Sequence, residues 1–327
     1  MRHLRTAAVV MASVTALSLT IAGCGRGESS GQGGSATLIV STLNNPWFVS
    51  VVDGAKAQAQ TDGITLDVQN ANDSDKTALD LMQTAVTKQP DAIMINPVSD
   101  DSGTSMTQAG NQADIPVLAF DRKPADGTLA SYIGFSNVES GQIAGKQLAD
   151  AIGGEGEVVE LMGTPGLAVS AERSQGFGEA MAEYSGIEIV SQQSGDFDRG
   201  KSLNVMTNIL QAHPDVAGIF AANDEMALGA IAALDAIGRA GEVPVIGIDG
   251  TADAFKAIEA GTMYGTQAEP PFILGQSVVE IAAKVINGEE VDAETQLHGE
   301  FVNSETLSGF CTKLSEIGDV TTCEGLA

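Results

Sequence analysis

Residues 36–48 read Ala36-Thr37-Leu38-Ile39-Val40-Ser41-Thr42-Leu43-Asn44-Asn45-Pro46-Trp47-Phe48. The stretch Ala36–Ser41 is rich in aliphatic and β-branched residues, the pattern of a strand covered on both faces. Pro46 then opens an expected helix through Gln60, because a proline is tolerated in a first turn. A buried strand running straight into a helix is the unit of a parallel sheet. Working outward, the unit repeats. Strands are expected at Thr65–Val68, Ala92–Ile95 and Pro116–Phe120, with helices at Lys76–Lys88 and near Gly103–Ala113. The cycle then starts again. Strands are expected near Ser131–Gly134, Glu157–Leu161, Glu188–Ser191, Gly218–Ala221 and Val243–Ile248. Helices are expected near Ser140–Ile152, Ser170–Tyr184, Gly200–Gln211, Glu225–Ile237 and Ala252–Glu259. Repeated βα units of this length predict an α/β fold, with parallel sheets flanked by helices.

The rest of the chain bounds the function. The 327 residues, 43% of them hydrophobic, suffice for about two domains with substantial cores. Asp and Glu number 43 against 16 Lys and Arg, giving a net charge of −27. Such a surface repels phosphate backbones and anionic headgroups, which argues against nucleic acid as a partner. Arg2, His3 and Arg5 precede an apolar run from Ala7 to Ala22. That run is shorter than the roughly 20 residues of a bilayer span and suits a secretory leader. Its ending, Ile21-Ala22-Gly23-Cys24, resembles a bacterial lipoprotein signal, with 1–23 removed and Cys24 lipidated. Residues 24–35 are rich in Gly and Ser and are expected to form a flexible tether. Cys311 and Cys323 are expected to pair as a disulfide in an extracytoplasmic setting.

In parallel sheets, ligands bind beyond the carboxyl ends of the strands. The residues found there include Ser41, Asn45, Trp47 and Phe48 after the first strand, Asn96 after the third, and Asp121-Arg122 after the fourth. The second half supplies Arg173, Phe197, Asn223 and Asp249. This set suits a sugar. Carboxylates and amides accept protons from hydroxyl groups, guanidinium groups and amides donate to them, and aromatic faces cover the apolar face of the ring.

The same motifs carry a resemblance. Ser41–Ser50, Ile95-Asn96-Pro97, Phe120-Asp121-Arg122, Glu172-Arg173 with Gly176-Phe177, Asp196–Arg199, Asn223–Ala230 and Ile246–Thr251 resemble the ribose-binding proteins. These are members of the type I periplasmic sugar-binding family that serves ABC importers, and the resemblance spans about residues 36 to 300. It implies two Rossmann-like lobes, 36–135 with 270–298 and 136–269 with 299–327, joined by three crossing segments near Phe135-Ser136, Glu269-Pro270 and residue 298. It implies a sugar in the cleft between the lobes, hinge closure, a permease partner, a monomer and no cofactor. It adds Glu269 to the ligand set, with Gln267 as the alternative at that crossing. Three positions depart from the family pattern: Trp47 for a Phe, Ile248 for an aromatic residue, and Glu269 for a Gln. Ribose is therefore the leading ligand, with another pentose, a hexose such as allose, or a polyol as alternatives.

One motif points elsewhere. Gly195-Asp196-Phe197-Asp198-Arg199-Gly200-Lys201-Ser202 satisfies G-x-x-x-x-G-K-[ST], the pattern of a nucleotide-binding P-loop. Two Asp inside it would face the phosphates, reversing the required electrostatics. There is no H-E-x-x-H and no strand-to-helix G-x-S-x-G elbow, so an enzyme is not expected.

Overall fold

The computed structural model describes residues 33–326. The expected leader 1–23, the lipid site at Cys24 and most of the tether lie outside the described residues.

The first half builds β1 (Ser35–Val40), α1 (Pro46–Asp62), β2 (Thr65–Asn70), α2 (Asp75–Lys88), β3 (Ala92–Ile95), α3 (Asp100–Gln112), β4 (Val117–Phe120) and β5 (Ser131–Phe135). The second half repeats the plan with α4 (Asn137–Ala151), β6 (Glu155–Met162), α5 (Ala168–Met181), β7 (Gly186–Ser194), α6 (Arg199–Ala212) and β8 (Gly218–Ala221). It continues through α7 (Asp224–Asp235), β9 (Val245–Asp249), α8 (Ala252–Glu259) and β10 (Gly265–Ala268). The chain then returns with α9 (Pro271–Ile286) and β11 (Glu294–Leu297), and ends with β12 (Glu300–Asn303) and α10 (Leu307–Glu316).

Two six-stranded sheets result, ordered β11-β5-β4-β3-β1-β2 and β12-β10-β9-β8-β6-β7. Every pairing is parallel except β10 with β12. The α/β architecture expected from the spacing is the one found. Elements β10, α9, β11, β12 and α10 lay beyond the sequence reading. The chain passes between the sheets three times, after Phe135, after Ala268 and after Leu297.

Side chains and backbone torsions set the helix ends. Asn45 caps α1 by accepting from Trp47 N at 2.9 Å, with Pro46 in the first turn, and Gly63 closes the helix at φ 69°. Ser99 and Ser102 form a reciprocal capping box, so α3 begins at Asp100, before the expected Gly103. One face of the first sheet packs on α1 and α9 through Val51, Val52, Leu274 and Val278, and the other buries Met82 and Met106. The second lobe has its own core around Phe177 and Phe220, stacked at 4.4 Å. Helix α10 extends this core through Leu307, Phe310 and Leu314, and Cys311 is bonded to Cys323.

In each lobe a pair of helices comes into backbone contact, and glycines permit it. A Cβ on Gly54 would fall 2.1 Å from Phe272 O, and one on Gly275 would fall 1.9 Å from Val51 O, across the α1–α9 contact. Across α4–α5, a Cβ on Gly141 would fall 2.2 Å from Arg173 O, and one on Gly176 would fall 2.0 Å from Val138 O. The second pair fixes where α5 delivers Arg173. Gly178, two residues further along α5, meets nothing within 4 Å. Urea unfolding should therefore separate the two positions. Gly176→Ala is expected to destabilise by about 1–3 kcal/mol through overpacking, and Gly178→Ala to stabilise by about 0.5–1 kcal/mol through helix propensity.

Candidate functional site

Both sheets reverse their strand order beside their first strand, at β1/β3 and at β6/β8. At such a switch point the following loops diverge and leave a crevice at the carboxyl ends. The two crevices face each other across a cavity of about 460 Å³. That volume lies within the usual range for a small-molecule site.

Nine of the twelve sequence-predicted ligand residues line it: Asn45, Trp47, Phe48, Asp121 and Arg122 from the first lobe, and Arg173, Phe197, Asn223 and Asp249 from the second. The other three lie one layer behind. Ser41 is fully buried. Asn96 donates to Asp121 Oδ2 at 3.0 Å and to Phe120 O at 3.3 Å, so its amide orients a cavity residue from inside the sheet. Glu269 is 1% exposed and turned toward Arg173 and Ser140, and Gln267 is equally buried. Gln267 lies in β10 and Glu269 directly follows it, and neither lines the cavity. Ile248 belongs to the second core.

Aromatic rings form one part of the wall. Trp47 and Phe48 meet edge to face at 5.0 Å, and the Arg122 guanidinium lies 5.7 Å from the Phe48 ring. Both rings also belong to the first core, so packing and cavity lining coincide here. The Trp47 indole donates to Glu269 O at 3.0 Å, which ties α1 to the second crossing segment. Phe197 stands opposite, against Gly163, where an added Cβ would fall 2.0 Å from its ring.

Charges form the rest. Arg173, only 4% exposed, donates Nε to Asn137 Oδ1 at 3.1 Å, Nη1 to Ala222 O at 2.8 Å and Nη2 to Glu269 Oε2 at 2.5 Å. Its Nη1 also reaches Asp249 Oδ1 at 3.5 Å. Arg122 donates Nη1 to Pro97 O at 3.0 Å. Two buried polar atoms at the cavity, Arg122 Nε and Asp249 Oδ2, have no hydrogen-bond partner among the described residues. A buried donor and a buried acceptor left without partners are costly unless a ligand completes them.

Backbone conformation records the same demand. Asp121 (φ 60°), Phe197 (φ 57°) and Asp249 (φ 134°) all have positive φ, and all three line the cavity. Strained non-glycine backbone persists where the surrounding structure holds it, commonly at ligand sites. Asp224 holds the strained Asp249-Gly250 turn, accepting from Gly250 N and Thr251 N at 2.8 Å each and from Thr266 Oγ1 at 2.7 Å.

Burial pushes the carboxyl groups of Asp121 and Glu269 up, against the pull of the neighbouring guanidinium groups. Asp249 is pushed well up by burial and by Asp224 and Glu269, although Arg173 opposes this. Asp224 rises to about 6 through burial, offset in part by its four donors. Arg173 is lowered by burial but raised more by Glu269, Asp249 and Asp121 together, so it stays charged.

The P-loop-like motif spans the turn from β7 to α6. Asp198 caps α6 by accepting from Lys201 N at 2.6 Å, and the Lys201 ammonium is bound to Asp196. Asp196, Phe197 and Asp198 face the cavity, so the loop presents two acids and a ring there. Sequence reasoning overlooked Thr42, Asp73, Thr164, Leu167 and Val169 in the wall. Thr164 follows β6, and the strand-end rule would have found it. Asp73 follows β2, an edge strand left out of that search. Among the described residues no cluster of His, Cys, Asp or Glu is arranged to hold a metal, and no helix is long and apolar enough to cross a membrane.

A family model for the periplasmic binding protein domain matches residues 36–290. The ribose import binding protein of Salmonella typhimurium is 39% identical over 284 residues, covering 87% of this chain and 94% of that protein. The D-apiose import binding protein of Actinobacillus succinogenes is 32% identical over 255 residues, covering 77% of this chain and 82% of its own length. A solved ABC transporter periplasmic solute binding protein from Actinobacillus succinogenes 130z, with bound D-allose, superposes with a TM-score of 0.82 at 34% identity. That match covers 84% of this chain and 99% of the solved one.

The raised carboxylates have a measurable consequence. Asp224 at about 6, and Asp249 well above its usual value, bind more protons folded than unfolded between pH 4 and their folded values. Their contribution to stability is thus fully present below about pH 4 and is lost as pH rises through about 6 and above. Asp249→Asn is expected to flatten the fall in melting temperature of the ligand-free protein as pH rises above about 4, where the unfolded carboxylate ionises and the buried one resists.

Proposed function

The chain belongs to the periplasmic binding protein family, and from that premise we propose that it is the lipid-anchored, monomeric substrate-binding component of an ABC sugar importer, with D-ribose as its leading ligand. The family consists of substrate-binding transport proteins rather than enzymes, and it works outside the cytoplasm. The observation that carries the reading is the cavity wall. Aromatic rings from both lobes, a guanidinium N–H with no hydrogen bond and only an ion pair to Asp121 at 3.7 Å, and a carboxylate oxygen with no hydrogen bond are what a neutral polyhydroxylated ring needs.

Asp121 and Asp249 accept from sugar hydroxyl groups, while Arg122 and the Asn223 amide donate. Asn45 and Asn223 spend their carboxamide oxygens on the caps of α1 and α7. Their amide nitrogens are thereby aimed by the helix ends they secure. Groups from both lobes can contact one sugar only when the lobes are close together, so the ligand favours the closed form. Flexing is confined to the three crossings. The closed shape is what a permease reads. Cys24 anchors the mature chain, and the Gly/Ser stretch behind it gives the binding body reach.

Thermal melting against D-ribose, D-allose, D-apiose, xylitol and ATP with magnesium tests the reading. A micromolar ligand at millimolar concentration adds about 4 kcal/mol to stability, which makes the shift plain. D-ribose is expected to give the largest shift and ATP none. A response to ATP alone would overturn the importer reading. Phe197→Ala is expected to weaken D-ribose by about 2 kcal/mol, roughly thirtyfold by calorimetry, through lost apolar contact.

A further inference from the structure

Glu269 lies between β10 and α9, inside the second crossing segment, and its side chain does not reach the cavity. All four of its polar groups are nevertheless engaged, each by a different element. Its backbone N donates to Asp249 O at 2.9 Å, and its backbone O accepts from Trp47 Nε1 at 3.0 Å. Its Oε1 accepts from Ser140 Oγ on α4 at 2.6 Å, and its Oε2 accepts from Arg173 Nη2 on α5 at 2.5 Å. Three of these four partners line the cavity. One residue in a crossing segment therefore touches a wall from the first lobe and two walls from the second.

The chemistry gives this junction a specific task. Arg173 has two buried carboxylates within reach, Glu269 at 2.5 Å and Asp249 at 3.5 Å. A buried guanidinium takes the best-placed carboxylate, because an unpaired charge in that environment is expensive. Glu269 satisfies it from behind. Asp249 is thereby only loosely paired, and its Oδ2 stays without a partner at the cavity. If the carboxylate behind were neutral, Arg173 would draw in Asp249 as its remaining close anion and consume an acceptor of a cavity-lining residue.

We propose that Glu269 is a positioning residue for ligand binding, holding Arg173 off Asp249 so that the Asp249 carboxylate stays available to a ligand hydroxyl group. This rests on the sugar-binding reading above. Glu269 supports the cavity from a second layer, and its backbone fixes the Trp47 ring whatever its side chain carries.

Calorimetry with D-ribose and D-allose as probes tests the role in the full mature chain. Glu269→Gln keeps the backbone bonds to Trp47 and Asp249 and removes the charge together with one of the two side-chain acceptors. It is expected to weaken both sugars at least tenfold, while the emission maximum of Trp47, the sole tryptophan, stays unchanged in the ligand-free protein. Ser140→Ala leaves every charge in place and frees one oxygen of Glu269, and it is expected to weaken binding two- to fivefold with a modest fall in melting temperature from the orphaned buried oxygen. In an Arg173→Lys background, Glu269→Gln is expected to cost less than twofold further, because its effect passes through Arg173. Fully additive losses would overturn the proposal, as would sugar affinity in Glu269→Gln within twofold of wild type. Wild-type protein that binds neither sugar would overturn the importer reading and this role with it, a result distinct from failure of the variants alone.

Discussion

A guanidinium group deprived of water is the constraint on which the site depends. Arg173 sits at 4% exposure between the two lobes, where its charge is tolerable only with close anions and filled hydrogen bonds. Asn137, Ala222 and Glu269 fill them, and Asp249 completes the charge balance. These partners come from α4, the end of β8, the second crossing segment and the end of β9. One side chain thus pins the first two crossing regions to the second lobe. The close glycine contact between α4 and α5 brings the arginine within reach of them.

Acids outnumber bases around this charge. Asp121, Asp249 and Glu269 face Arg122 and Arg173, and burial raises all three carboxyl groups. The surplus acceptor capacity is directed at the cavity, which suits a ligand rich in hydroxyl groups and carrying no negative charge. The acids of the β7–α6 turn extend the same bias toward the mouth. Lys201, which would bind phosphate in a nucleotide cradle, is neutralised there by Asp196. A motif that satisfies a pattern in letters is refuted by its own electrostatics.

The sheets supply the geometry. Because each lobe has the same strand order, each has its switch point beside its first strand, and the two open toward one another. The residues following β1, β4, β6, β8 and β9 therefore converge although they are far apart in the chain. Strain at Asp121, Phe197 and Asp249 is sustained by neighbours: Asn96 beside Asp121, Gly163 under Phe197, and Asp224 beneath the turn that follows Asp249.

The sequence by itself determined the α/β class, the two repeated halves and nine residues of the cavity wall. Buried parallel strands leave continuous apolar runs, and their end residues must face a crevice. It left β10, Gly265–Ala268, unread, because Gly, Thr, Gln and Ala carry no strand signal and are buried only through their neighbours β9 and β12. The short edge strands β11 and β12 were equally silent, since half-exposed edges lack the apolar run. Only the tertiary structure decided which strand-end polar residues reach the cavity and which stand behind it. Asn96 and Glu269 resemble Asp121 and Asp249 in chemistry. What separates them is whether a side chain leaves its strand toward the cleft or toward another buried group, and that depends on packing between segments distant in the chain.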